Sequence, residues 1–226
     1  CPGGAVRLMT WADLPPTPWW YVAVLSVAGA VVGQVLGTRL ATLGYRLDHE
    51  AGLRPRTPAW AVAGTLAVLW GLLAWRLGPA AEYALAPAYL GFAAVAVALA
   101  WVDLDVHRLP HGLTRPAYPM LVGQLALASW ASGDWAALRR ALIAGALLWA
   151  VYLVLALLAA LLRSGFGLGD VTLAGLVGIA TGYLSPWAPV IATYAAFLLS
   201  GAYGLGRIIA RRGSRKDHIA FGPWML

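Results

Sequence analysis

From Val171 to Gly206 the chain runs for thirty-six residues without an Asp, Glu, Lys or Arg. As one helix this stretch would be about 54 Å long, against a hydrocarbon core of about 30 Å. Ser185-Pro186 interrupts it, so it reads as two helices, the first of them short. With the other uncharged runs it gives expected spans at 19–38, 57–75, 83–102, 116–133, 141–162, 171–184 and 187–206. Only 11% of the residues are charged, where a soluble domain carries about a quarter. The expected fold is therefore all-α: a polytopic helical membrane protein with about seven transmembrane spans, residues 1–226 forming one integral-membrane domain.

The basic residues give the orientation. Twelve of the sixteen Lys and Arg fall in segments on one side, which include 39–56, 103–115, 163–170 and 207–220. Only Arg7, Arg76, Arg139 and Arg140 fall on the other. Cytoplasmic loops collect the positive charge, so the N-terminus is expected outside and both Asp-containing loops inside. Merging 171–206 into one span would strand the basic tail outside. The net charge of +7 is thus a topology signal and implies no nucleic-acid partner. The expected surroundings are a lipid bilayer, which twelve Trp and nine Tyr suit as interfacial residues. The single cysteine, Cys1, excludes a disulfide framework and a Cys-based zinc site. The sequence opens on Cys1 and closes on apolar "FGPWML", which leaves open further chain at either end, an eighth span beyond Leu226 included.

Small residues mark the expected helix contacts. Gly29, Gly33 and Gly37 form a GxxxG ladder in the first span, and Gly178 and Gly182 another in the sixth. Lipid supplies no hydrophobic force between helices, so faces that let backbones approach become the interfaces.

Of nine acidic residues, Asp13, Glu82 and Asp134 fall in outer loops, and Asp48, Glu50 and Asp217 in basic inner segments, all read as solvated. Asp103 and Asp105 close the third span, and Asp170 opens the short sixth after the glycine-rich "GFGLG". A carboxylate near the hydrocarbon is costly unless paired, neutralised or used. Two readings of Asp170 stay open on spacing alone. It caps the sixth helix, a common use of Asp, or it meets Asp103 as a carboxyl pair sharing a proton, one activating water and the other polarising a carbonyl.

"SGFGLGDVTLAGLVG" resembles the GxGD segment of type IV prepilin peptidases, bacterial aspartyl membrane proteases. "WVDLDVHRLPHGLT" is similar to that family's other catalytic segment, with Asp103, Leu109, Pro110, Leu113 and Thr114 in register. "GTRLATLGYRL" and "IAFGPWML" are similar to the end of its first helix and to its C-terminal stretch. The resemblance implies that Asp103 and Asp170 are the catalytic pair, that Gly167 and Gly169 shape the approach, and that Asp105, Leu109 and Pro110 support them. It departs from the family at His111, where Asp or Asn is usual, and at Thr172, where Lys is common. His107 reads as an interfacial loop residue, and Thr114 with Pro116 as the start of the fourth helix.

The resemblance further implies an endopeptidase of the bacterial cytoplasmic membrane that acts at its cytoplasmic face. Its partners would be prepilin or pseudopilin precursors with a short basic leader, cut after a glycine and followed by a hydrophobic helix. It implies no metal and no organic cofactor, only water. Many members carry a cytoplasmic domain with two CxxC pairs, associated with N-methylation, where this chain has the short loop 47–57. A compact peptidase is therefore expected, with methylation, the pilus or secretion system served and oligomeric state left open. A presenilin-like protease would need a Tyr-Asp and a Pro-Ala-Leu that the chain lacks. A proton- or ion-coupled transporter would place its aspartates in mid-span and in matching halves.

Overall fold

The computed structural model describes residues 17–42, 58–78, 83–106, 111–162 and 168–209. These form seven α-helices: α1 (Trp19–Ala41), α2 (Ala59–Leu77), α3 (Ala86–Val106), α4 (His111–Ser132), α5 (Trp135–Leu161), α6 (Leu168–Leu184) and α7 (Ala188–Ile209), with a 3-10 turn at Tyr83–Leu85. There is no strand among the described residues. By length and composition α1, α2, α3 and α5 are each able to cross a membrane, while α6 and α7 carry shorter apolar segments. The division of 171–206 falls where the sequence put it, at Ser185–Trp187.

Three boundaries differ from expectation. Helix α3 runs on to Val106, so Asp103 and Asp105 lie on the helix and not after it. Helix α4 begins at His111 and carries Pro116 and Pro119 inside it, where the sequence suggested a start near Thr114. Its buried stripe of Thr114, Ala117, Leu121, Leu125 and Ala128 has helical spacing, and packing along that stripe outweighs the two lost backbone donors. Helix α5 begins at Trp135 because Asp134 caps it, its carboxylate accepting from the Ala137 amide at 2.9 Å. Arg139 and Arg140 thereby join a helix rather than a loop.

Both glycine ladders lie at helix contacts. A methyl group on Gly33 would sit 2.7 Å from the Ala63 Cα, and one on Gly29 2.7 Å from the Leu66 carbonyl, so α1 and α2 touch backbone to backbone. On α6, Gly178 would meet the Ala144 carbonyl and the Gly145 Cα of α5, each at 2.8 Å. Gly182 likewise packs directly on Ala144.

Helix α3 joins these two pairs. Trp70 Nε1 on α2 donates to the Leu90 carbonyl at 3.1 Å, and the Tyr89 hydroxyl donates to the Ala180 carbonyl of α6 at 2.7 Å. At the same end of the bundle Ser129 Oγ lies 3.0 Å from the Tyr183 hydroxyl. The Arg140 guanidinium donates there to the carbonyls of Gly182 and Tyr183, the last turn of α6. A cation on those carbonyls also opposes the negative end of the helix dipole. Thr17, just before α1, donates to the Trp75 carbonyl near the end of α2. The start of α1 therefore lies at the end of the bundle opposite the final turn of α3 and the first turn of α6.

Candidate active site

At the opposite end of the bundle one apolar cluster joins four helices. Leu99 of α3, Tyr152 and Ala156 of α5, Val171, Leu173, Ala174 and Val177 of α6 and Ala196 of α7 are buried together. Residues three or four apart share a helix face. Asp103 follows Leu99 by four residues, so it stands over the α3 face that enters this cluster. Asp170 precedes Leu173 by three residues and Ala174 by four, so it stands over the α6 face that enters the same cluster. Two carboxylates from distant parts of the chain thus top one core from two helices.

Their surroundings are not loop-like. Asp103 is only 6% exposed and Asp170 is half-buried, and each is engaged with its surroundings. Asp170 is the third residue of α6, inside its first turn, where the helix dipole favours a carboxylate. An Asp does cap a helix at Asp134, whose carboxylate accepts from the Ala137 amide.

Asp105 is also 6% exposed, but it lies on the other flank of α3. It follows Trp101 by four residues, and Trp101 packs with Ala98, Val62, Leu66 and Leu40 against α1 and α2. Leu113 reaches both clusters from the first turn of α4, and the next residue, Thr114, is buried beside it. That turn therefore packs against the Asp-bearing end of α3. Gly169 is half-buried, and its carbonyl accepts from the Thr172 hydroxyl at 2.7 Å. Leu109, Pro110, Gly167, His107 and the loop 47–57 lie outside the described residues. No three His, Cys, Asp or Glu come together as a metal-binding group among the described residues.

Sequence reasoning missed two tyrosines. The Tyr118 hydroxyl of α4 donates to the Thr172 carbonyl, fastening α4 to α6 within a turn of Asp170. Tyr152 of α5 lies in the cluster beneath the carboxylates. Both sit in apolar runs where one more aromatic gives no signal of its own. Thr172, Gly175 and Ile179 fall on the face of α6 turned away from Asp170 and line a lateral groove with Tyr118 and Trp149. Thr172 thus serves the helix contact and not the carboxylate side.

A family model described as "Type IV leader peptidase family" matches residues 89–205, which include Asp103 and Asp170. Two proteins named "Prepilin leader peptidase/N-methyltransferase", one from Aeromonas salmonicida strain A449 and one from Aeromonas salmonicida, are each 32% identical to this chain over 175 residues. That alignment covers 75% of this chain and 48% of each relative. The chain thus spans about half the length of the curated relatives it matches. No solved structure matches.

Proposed function

The chain belongs to the type IV leader peptidase family, and on that footing we propose that it is an aspartyl endopeptidase that removes the basic leader from prepilin-like precursors. Asp103 and Asp170 are its catalytic pair. The observation that carries this reading is their placement over a single buried cluster, reached from α3 and α6. In the reaction one carboxylate takes a proton from water while the other, protonated, donates to the scissile carbonyl oxygen. The water oxygen bonds to the carbonyl carbon. The tetrahedral intermediate then collapses, the C–N bond breaks and the leaving amine takes a proton from the pair.

The half-buried setting suits this division of labour. A half-buried Asp170 can be reached by water and an extended peptide, and the apolar cluster beneath lies under both carboxylates. Acidic Asp103, Asp105 and Asp170 at one end of the bundle attract the cations of a basic leader. The basic segments that flank that end support a cytoplasmic position for it, with the N-terminus outside. The hydrophobic helix of the precursor remains in the bilayer. The short loop 47–57, free of cysteine, argues for peptidase activity without the paired N-methylation of the relatives' name.

The test is direct. The full chain, reconstituted in liposomes, is incubated with a tagged prepilin, and the product ends are read by mass spectrometry. A single cut after the leader glycine, lost in both Asp103→Asn and Asp170→Asn, is the expected result. Cleavage by both variants at the wild-type rate would remove the proposal.

A further inference from the structure

Helix α6 is gripped by directional bonds to its backbone carbonyls. At its far half the Tyr89 hydroxyl donates to the Ala180 carbonyl, and Arg140 donates to those of Gly182 and Tyr183. At the half that carries Asp170 the tether comes from α4, where the Tyr118 hydroxyl donates to the Thr172 carbonyl. The Thr172 hydroxyl donates in turn to the Gly169 carbonyl at 2.7 Å, and that carbonyl belongs to the peptide unit joined to Asp170. Gly175 makes the approach possible, because a methyl group there would overlap the phenol oxygen. Thr172 and Gly175 lie on the face of α6 turned away from Asp170, so the tether reaches the carboxylate through the backbone.

This turn has little stiffness of its own, since glycine occupies positions 165, 167 and 169 just before Asp170. Val171, Leu173 and Ala174 bury its other side in the shared cluster. Apolar packing has no preferred direction, whereas a hydrogen bond weakens steeply when its line is bent. The cluster therefore holds the turn down, and the two bonds fix how far it rotates.

We propose that Tyr118 and Thr172 are positioning residues for Asp170: they brace the first turn of α6 against α4, so that the carboxylate keeps one setting relative to Asp103. This rests on the aspartyl-peptidase reading above. A turn free to rotate would spend less time in the geometry that transfers a proton, and a displacement of about 1 Å can cost ~100-fold in rate. Tyr118 and Thr172 line the lateral groove on the other side of α6. The loss would therefore fall on turnover and not on substrate binding.

Tyr118→Phe, Thr172→Val, Thr172→Ser and Tyr89→Phe are compared with wild type in the reconstituted full chain, using a tagged prepilin. Tyr118→Phe removes one hydroxyl near Asp170, and Tyr89→Phe removes one at the far half of the same helix. Each should lower the thermal midpoint by no more than about 4 °C. Tyr118→Phe is expected to lower kcat on the order of 10-fold with KM unchanged, while Tyr89→Phe stays within about twofold of wild type. Thr172→Val should lower kcat by roughly 3-fold, and Thr172→Ser, which keeps the hydroxyl, should recover most of that loss. Wild-type kcat in Tyr118→Phe would overturn the inference. So would an equal loss in Tyr89→Phe, which would mark a general loosening of α6. If Tyr118→Phe does not fold, an unchanged kcat in folded Thr172→Val overturns it. Asp170→Asn separates the two levels: if it is inactive while Tyr118→Phe is normal, only the positioning role fails. If Asp170→Asn cleaves normally, both fail.

Discussion

Leu99 and Leu173 are buried without exposed surface in the same cluster, and each lies within a turn of an aspartate on its own helix. The cluster they share lies at the end where Asp103 and Asp170 stand. Changing either carboxylate to an amide leaves that packing in place. Asp103→Asn and Asp170→Asn are therefore expected to lower cleavage by about a hundred- to ten-thousand-fold in a protein that still inserts and folds. The double variant should be no worse than the singles, because residues that act as a unit are not additive. Were Asp170 only a favourable charge in the first turn of α6, Asn would alter stability by less than about 1 kcal/mol and leave cleavage intact.

Asp105 faces α1 and α2 rather than the shared cluster, and this separates its role. Asp105→Asn should retain clearly more activity than either substitution of the pair in the same assay. A loss as deep as that of Asp170→Asn would move Asp105 into the catalytic group.

The glycines give a paired stability test. A side chain on Gly178 meets the backbone of Ala144 and Gly145, which cannot rotate away, so Gly178→Val should destabilise by about 1–3 kcal/mol. At Gly64 of α2 a methyl group meets nothing within 4 Å, and Gly64→Ala should be neutral or stabilising by about 0.5–1 kcal/mol. Thermal unfolding in detergent reads both.

Orientation is checked by labelling. In a Cys1→Ser background, Ser132→Cys at the end of α4 should react with an impermeant reagent added outside intact cells, and Ser164→Cys should react only after permeabilisation. The reverse pattern would invert the assignment.

The helix order, the break at Ser185–Trp187 and both glycine ladders were legible in the sequence, because runs of apolar residues and small-residue spacing are local signals. The carboxylates stood out as exceptions to that background, and the family resemblance supplies the roles proposed for them. The beginnings of α4 and α5 were not legible. Pro116 and Pro119 look like breakers until the stripe from Thr114 to Ala128 is packed, and Asp134 looks like a loop residue until it accepts the Ala137 amide. Arg140 read as a topology signal, and only the tertiary fold brings it to the Gly182 and Tyr183 carbonyls. Tyr152 gave no signal at all, since its partners come from α6 and α7.

The grip of Arg140 on the last turn of α6 also decides where that helix falls short. Seventeen residues make a rod of about 26 Å, less than the hydrocarbon thickness of about 30 Å. A guanidinium settles at headgroup level and fixes the far terminus there. The missing length is thereby assigned to the other terminus, where the bilayer must dip or solvent must enter to meet Asp170. The proposed hydrolysis requires water as its second reactant, and a helix a few ångströms too short, hung from one end, would leave the hollow through which that water arrives.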